Sequence, residues 1–185
     1  MRFEDIPLAG AFLITPDPVE DERGAFARLF DAAAFAERGL VCAFDQISTS
    51  FNRRAGTLRG LHLQRPPHAE IKLVRVTSGA VFDVIVDLRA GSPTYAHWYG
   101  AELSAENRRQ LYIPAGFAHG FQSLRDASEV AYCIAAPYRP ELQDGVRFDD
   151  PDLAIAWPAP DRAIISARDR GLPAMADFRP IEVPC

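Results

Sequence analysis

A chain of 185 residues with 48% hydrophobic content can bury one substantial core, and with no Gly- or Ser-rich linker to divide it, residues 1–185 read as a single domain. A formal net charge of -5 leaves no electrostatic footprint for nucleic acid and points to a small molecule or another subunit as partner. No apolar segment approaches the roughly 20 residues of a membrane helix. Three cysteines at unrelated spacings, Cys42, Cys133 and Cys185, with no apolar run after a basic start, predict a soluble protein of the cytoplasm.

In chain order, Ala11-Phe12-Leu13-Ile14 predicts an edge or crossing strand bounded by Pro16 and Pro18. Asp21-Glu22-Arg23-Gly24 reads as a turn before the run Ala25 to Phe30, where Phe26 and Arg28 share a face if extended. Asp31 to Gly39 combines an N-cap aspartate, good helix formers and a terminal glycine, and predicts the longest helix of the chain. From Ala43 the pattern changes to short β-forming runs. Val74 to Val76 and Val81 to Val86 are separated by Ser78-Gly79, which reads as a hairpin turn. Phe82, Val84 and Val86 alternate with Asp83, yet Val81 and Ile85 make the other face partly apolar, as in a sheet covered on both sides. Further strands are predicted at Trp98 to Leu103, Arg109 to Ile113, Gly120 to Leu124 and Glu129 to Ala135. Many short strands with few helices predict an all-β fold, an antiparallel sandwich or barrel of jelly-roll type. From about residue 140 the chain is proline-rich, with Asp150-Pro151, Trp157-Pro158 and Ala159-Pro160 blocking regular strands, and is expected to wrap the barrel.

Chemistry concentrates in Leu58-Arg59-Gly60-Leu61-His62-Leu63-Gln64 and the following Lys72, where polar groups sit among aliphatics that a sheet would bury. Strict alternation puts His62 on one face and Arg59 on the other, so both reach one cavity only if the strand bulges, which Gly60 allows. Lys72 shares parity with Val74 and Val76. From the pattern alone, His62 reads equally as a hydrogen-bonded structural histidine, and Lys72 as a strand-end lysine reaching solvent. Ile113-Pro114-Ala115-Gly116-Phe117-Ala118-His119 resembles the second motif of the cupin superfamily, jelly rolls that often hold a metal. A ligand set of His62, Gln64, Glu70 and His119 is chemically allowed, although an amide is a poor substitute for imidazole at a transition metal.

A narrower resemblance runs from Pro7 to about Pro173. It rests on Asp21-Glu22-Arg23-Gly24-Ala25-Phe26, Gly56 to His62, Lys72 to Val76, Asp83 to Arg89, Gly91-Ser92-Pro93-Thr94, Ile113 to Phe121 and Asp150-Pro151, in that order. These are similar to the dTDP-4-dehydrorhamnose 3,5-epimerases, cupin-fold enzymes of nucleotide-sugar metabolism that need no metal. The resemblance implies inversion at C3, C5 or both of a nucleotide-diphosphate 4-keto-6-deoxyhexose, with protons acidified by the C4 carbonyl and an enolate intermediate. It implies His62 as base, Asp169 as the carboxylate that orients it, Tyr132 as the acid on the opposite face and Lys72 as the cation beside the C4 oxygen. Arg59 and His119 match substrate-pocket positions, Gln46 and Ser48 match a substrate-contacting pair, and Tyr138 matches an aromatic of nucleotide binding. Arg23 and Phe26 match positions donated by a neighbouring subunit, which implies a homodimer with exchanged N-terminal strands.

Three more of these positions have a structural counterpart. Ser166 with Asp169 three residues on is also a capping-box pattern, Tyr132 between Val130 and Ile134 is also a core tyrosine, and His119 also suits a turn. Three positions depart from the family pattern. Ser48 stands where asparagine is common, Leu63 where an aromatic is common, and Glu70 where glutamine is frequent, so that Glu70 either pairs with Lys72 or repels a diphosphate. The alternatives to an epimerase are a metal-dependent cupin enzyme and a non-catalytic sugar-binding cupin.

Overall fold

The computed structural model describes residues 1–183, so Cys185 lies outside the described residues. Four short strands open the chain: β1 (Arg2–Asp5), β2 (Phe12–Thr15), β3 (Val19–Asp21) and β4 (Gly24–Phe26). Helix α1 (Ala32–Ala36) is capped by the Asp31 carboxylate, which accepts from the backbone of Ala33 and Ala34. Then follow β5 (Gln46–Asn52), β6 (Leu58–Gln64), β7 (Lys72–Ser78) and β8 (Ala80–Asp87). After these come β9 (Trp98–Ser104), β10 (Gln110–Ile113), β11 (Phe117–Ser123), β12 (Ser128–Ile134), β13 (Gln143–Gly145) and α2 (Ala167–Arg170).

Two antiparallel sheets face each other, in the orders β1-β2-β10-β7-β12-β5 and β13-β6-β11-β8-β9, while β3 and β4 form a separate ribbon. The alternation of β8 explains the layering. Val81 and Ile85 point between the sheets with Val74, Val76, Leu111 and Val130, whereas Val84 and Val86 point outward beneath the C-terminal segment. That segment supplies Leu153, Trp157, Met175, Phe178 and Ile181 to the second cluster. On the far side, Phe35 of α1 is fully buried and packs with Ile14, Leu73 and Tyr112. Burying such side chains is the main stabilising term, about 1.5–3 kcal/mol each.

Two expectations need correction. Ser78-Gly79 is not a hairpin, because β7 and β8 belong to different sheets and the chain turns a corner between them. Gly79 has φ +70°, and a Cβ there would stand 2.4 Å from the Ser128 hydroxyl, so the corner is packed too closely for a side chain. The extended run after Gly24 ends at Phe26, and Phe30 instead folds against Phe35 with ring centroids 4.8 Å apart.

Candidate active site

The open end between the two sheets holds a cavity of about 660 Å³. His62 and Arg59 both line it, which strict alternation along β6 forbids. The register resolves the conflict: His119 lies opposite His62 but Phe121 lies opposite Arg59, so three steps along β6 match two along β11 and β6 bulges between them. Gly60 permits this. Its φ is +122°, and a Cβ would meet the Gly120 Cα at 2.5 Å and the His119 carbonyl oxygen at 2.8 Å.

The proposed base and its orienter meet across 107 positions of sequence: His62 Nε2 and Asp169 Oδ1 are 2.8 Å apart. With Nε2–H donating to the carboxylate, Nδ1 carries the free lone pair. The second carboxylate oxygen accepts from the Gly60 backbone N–H at 3.1 Å, tying the dyad to the bulge that aims His62. Burial alone would raise the Asp169 carboxyl, but His62, Gly60 and Ser166 outweigh it and hold the group below the usual carboxylate range. The capping pattern is also present, since the Ser166 hydroxyl accepts from the Asp169 N–H at 3.1 Å and starts α2. Only half a capping box forms, because the carboxylate is spent on His62 and Gly60 rather than on the N-cap backbone.

Tyr132 and Lys72 come from the opposite sheet, on β12 and β7, and line the same cavity. Burial, reinforced by the Asp83 carboxylate, pushes the Tyr132 phenol well above its ordinary value of 10 and keeps it protonated. His119 lies beside His62 on the neighbouring strand and meets Tyr132 edge to face, with ring centroids 6.0 Å apart. Its Nε2 is 2.9 Å from the fully buried Asp83, so His119 both lines the cavity and is fixed by a carboxylate. Lys72 does not run out to solvent: its ammonium pairs with Glu70 at 3.0 Å, both side chains being almost fully buried. Of the two options for Glu70, pairing is the one realised.

Gln46, Ser48 and Tyr138 also line the cavity, Tyr138 half exposed and Ser48 directly across the ladder from Tyr132. Arg59 is partly committed, donating to the Asn52 side chain at 2.9 Å and to the Phe51 carbonyl at 3.3 Å. Arg23 and Phe26 are not brought to the cavity of their own chain. Arg23 pairs with Asp21 on the β3–β4 ribbon, and Phe26 is 76% exposed. Leu63 is buried in the outward-facing cluster, so that departure from the family pattern does not touch the site.

The four-residue metal set is not assembled. Gln64 is turned to the loops, its amide bonded to the carbonyls of His68 and Pro137 and to Arg139 and Gln143, while His119 is engaged by Asp83. Among the described residues no three His, Cys, Asp or Glu side chains gather at metal-ligand spacing. Sequence reasoning missed Asp83, Gln143 and Arg168. Asp83 is a fully buried acid on the inward face of β8, and Gln143 and Arg168 lie in the stretch read as irregular wrapping.

The model of the dTDP-4-dehydrorhamnose 3,5-epimerase family matches residues 5–177. The chain is 48% identical to the dTDP-4-dehydrorhamnose 3,5-epimerase of Methanothermobacter thermautotrophicus, over 91% of each chain. The crystal structure of the enzyme of that name from Elizabethkingia anophelis superposes with a TM-score of 0.93 at 42% identity, covering 96% of this chain and 97% of the other. A dTDP-6-deoxy-D-glucose-3,5-epimerase from Legionella pneumophila, solved in complex with dTDP-4-keto-L-rhamnose, superposes with a TM-score of 0.92 at 36% identity, covering 100% and 99%. With the fold, the cavity and these likenesses in agreement, the chain belongs to the dTDP-4-dehydrorhamnose 3,5-epimerase family.

Proposed function

We propose that the protein inverts C3 and C5 of a dTDP-4-keto-6-deoxyhexose, converting dTDP-4-dehydro-6-deoxyglucose to dTDP-4-dehydrorhamnose. The observation that carries this reading is the division of labour between the sheets. A histidine oriented by a carboxylate stands on one sheet, and a phenol kept protonated stands on the other. A proton taken from one face of a carbon and returned to the other inverts it.

His62 Nδ1 removes the proton next to the C4 carbonyl, and Asp169 stabilises the imidazolium that results. The electron pair moves to the C4 oxygen, where the Lys72 ammonium offsets the growing negative charge. Tyr132 then donates its proton to the opposite face of the carbon; solvent returns a proton to the phenolate and accepts one from His62. Arg59 presents its remaining donors to the diphosphate, with His119, Gln46 and Ser48 about the sugar and nucleotide and Tyr138 at the cavity mouth. The chemistry needs no cofactor.

A second copy completes the site in this reading. Among the described residues the β3–β4 ribbon pairs with no other strand; it exposes Val19 and Phe26, while edge strand β5 exposes Ile47 and Phe51. A C2 pair covers these surfaces and carries Arg23 and Phe26 to the neighbouring cavity. The thiols of Cys42 and Cys133 are free, which fits a reducing cytoplasm. Among the described residues no helix is long and apolar enough to cross a membrane.

The test is to incubate the protein with dTDP-4-keto-6-deoxyglucose in deuterated water and locate the label by NMR. Label at C3 and C5 with formation of the rhamno product supports the assignment, label at one carbon restricts it, and no label at either defeats it. Sedimentation at micromolar concentration, with activity measured after dilution, tests the dimer; a fully active monomer removes Arg23 and Phe26 from the site.

A further inference from the structure

Apart from Lys72, the cationic or basic side chains on the proposed reaction path are planar groups held by fixed partners in the protein. His62 is held by Asp169 at 2.8 Å, His119 by Asp83 at 2.9 Å, and Arg59 by Asn52 at 2.9 Å. Lys72 differs from them in kind. It is a point charge on a flexible stem with three rotatable donors, and without a tether its ammonium samples several positions in a cavity of about 660 Å³.

Glu70 supplies that tether. Its carboxylate lies 3.0 Å from the Lys72 ammonium, and it is the one ion-pair partner of Lys72 among the described residues. The direction of Glu70 follows from the chain around it. Ile71 packs in the outer aromatic cluster with Leu73, and its carbonyl accepts from the Ala135 N–H at 2.9 Å. The alternation that turns Ile71 and Leu73 outward turns Glu70 and Lys72 toward the cavity, where both are lining residues. Lys72 itself is clamped by its backbone between Ile113 of β10 and Ile134 of β12. Backbone pairing fixes one end of the Lys72 side chain and the Glu70 carboxylate holds the other.

We propose that Glu70 is a positioning residue of this enzyme: it fixes the Lys72 ammonium at the point where the C4 oxygen acquires negative charge. The inference rests on the reading of Lys72 as the cation beside that oxygen. A charge that is already oriented needs no reorganisation as the enolate forms, so Glu70 acts on turnover rather than on binding of the ground state.

The experiment measures kcat, KM and deuterium incorporation with dTDP-4-keto-6-deoxyglucose for Glu70→Ala, Glu70→Gln and Lys72→Ala and for the double variant Glu70→Ala/Lys72→Ala. Glu70→Ala is expected to lower kcat about ten- to hundredfold with KM changed less than about threefold. Glu70→Gln, which keeps an acceptor oxygen, recovers most of that loss. In the Lys72→Ala background, Glu70→Ala removes less than about twofold more, because the group it positions is gone. Glu70→Met, similar in volume but without an acceptor, is measured in parallel and reproduces the alanine loss. If Lys72→Ala is slow while Glu70→Ala and Glu70→Met turn over at the natural rate, the proposal falls and the reading of Lys72 stands. Losses that multiply in the double variant also overturn it, since Glu70 then acts on something other than Lys72. A natural rate in Lys72→Ala defeats the reading of Lys72 itself and the proposal with it. Failure of both Glu70→Ala and Glu70→Met to fold assigns the pair to stability and overturns the proposal.

Discussion

Replacing Asp169 with asparagine changes almost no volume but reverses the hydrogen-bond arithmetic behind His62. The carboxylate faces two donors, His62 Nε2–H at 2.8 Å and the Gly60 N–H at 3.1 Å. Asparagine brings one acceptor and one NH2 group, so it satisfies only one of them. If its oxygen takes Gly60, the NH2 group faces Nε2, the proton moves to Nδ1, and the nitrogen that faces the sugar is no longer a base. If its oxygen takes His62, the buried Gly60 N–H is left unpaired at about 1–3 kcal/mol, which drives the side chain into the first arrangement. Loss of the charge-assisted bond to the imidazolium adds about 1.5–3 kcal/mol to the barrier. At 1.4 kcal/mol per power of ten, the two effects together predict a fall of about 10²- to 10⁴-fold in proton exchange. Asp169→Ala removes the carboxylate without imposing the wrong tautomer and is expected to lose only about 10- to 10²-fold. The isosteric variant is therefore the slower of the two. Deuterium incorporation at C3 and C5, with thermal melting to establish folding, is the assay. An Asp169→Asn enzyme as fast as Asp169→Ala refutes the tautomer argument, and natural exchange in either removes Asp169 from the dyad.

Tyr132→Phe is expected to retain proton removal and lose completed inversion, because the phenol enters at the return step; exchange by NMR and product formation then separate, and normal turnover makes Tyr132 a core residue. Gly60→Ala is expected to destabilise the fold by about 2 kcal/mol or more and to slow exchange, since its Cβ meets backbone at 2.5 Å and φ is +122°; an unchanged melting temperature contradicts the bulge argument. Asp87 offers a test in acid. Burial raises its carboxyl, but Arg89, Ser92 and Thr94 outweigh this and hold it below its ordinary value of 3.8. A depressed carboxyl contributes stability that is present above the unfolded value and disappears as pH falls through the folded one. Asp87→Asn is therefore expected to lower stability by about 3 kcal/mol near neutrality, a deficit that narrows only below about pH 4; a deficit independent of pH in urea titrations excludes the carboxylate as its source.

How much of this was legible in the sequence depends on whether the governing interaction is local. The run Val81 to Val86 announced a sheet covered on both faces, because apolar residues of both parities leave no side for water. The conflict between Arg59 and His62 was also visible, and Gly60 marked the place where it had to be relieved. Ser78-Gly79 misled because a serine-glycine pair serves equally well in a hairpin and in a corner between sheets; only the partners of β7 and β8, distant in sequence, distinguish the two. Strand β11 begins at Phe117, three residues earlier than predicted, because the turn after Pro114 is confined to Ala115 and Gly116. For the site, the resemblance supplied residues that spacing could not. Asp83 escaped because a lone acid in an apolar run reads as a marker of the solvent face, when it is in fact the inward partner of His119.

The dyad spans 107 positions, and the orienting half arrives on a four-residue helix in the last quarter of the chain. During synthesis, β6 through β12 are made before Asp169, so His62 can meet its carboxylate only after the strands around it exist. Under the proposed mechanism, the contribution of Asp169 is therefore the last part of the site to be acquired. Trp157, Met175 and Phe178 of the C-terminal tail pack on the outward face of the sheet with Leu61, Val84 and Val86, so the segment that carries Asp169 is anchored on the sheet that carries His62. A molecule whose tail has not seated is expected to exchange protons only at the reduced rate of Asp169→Ala.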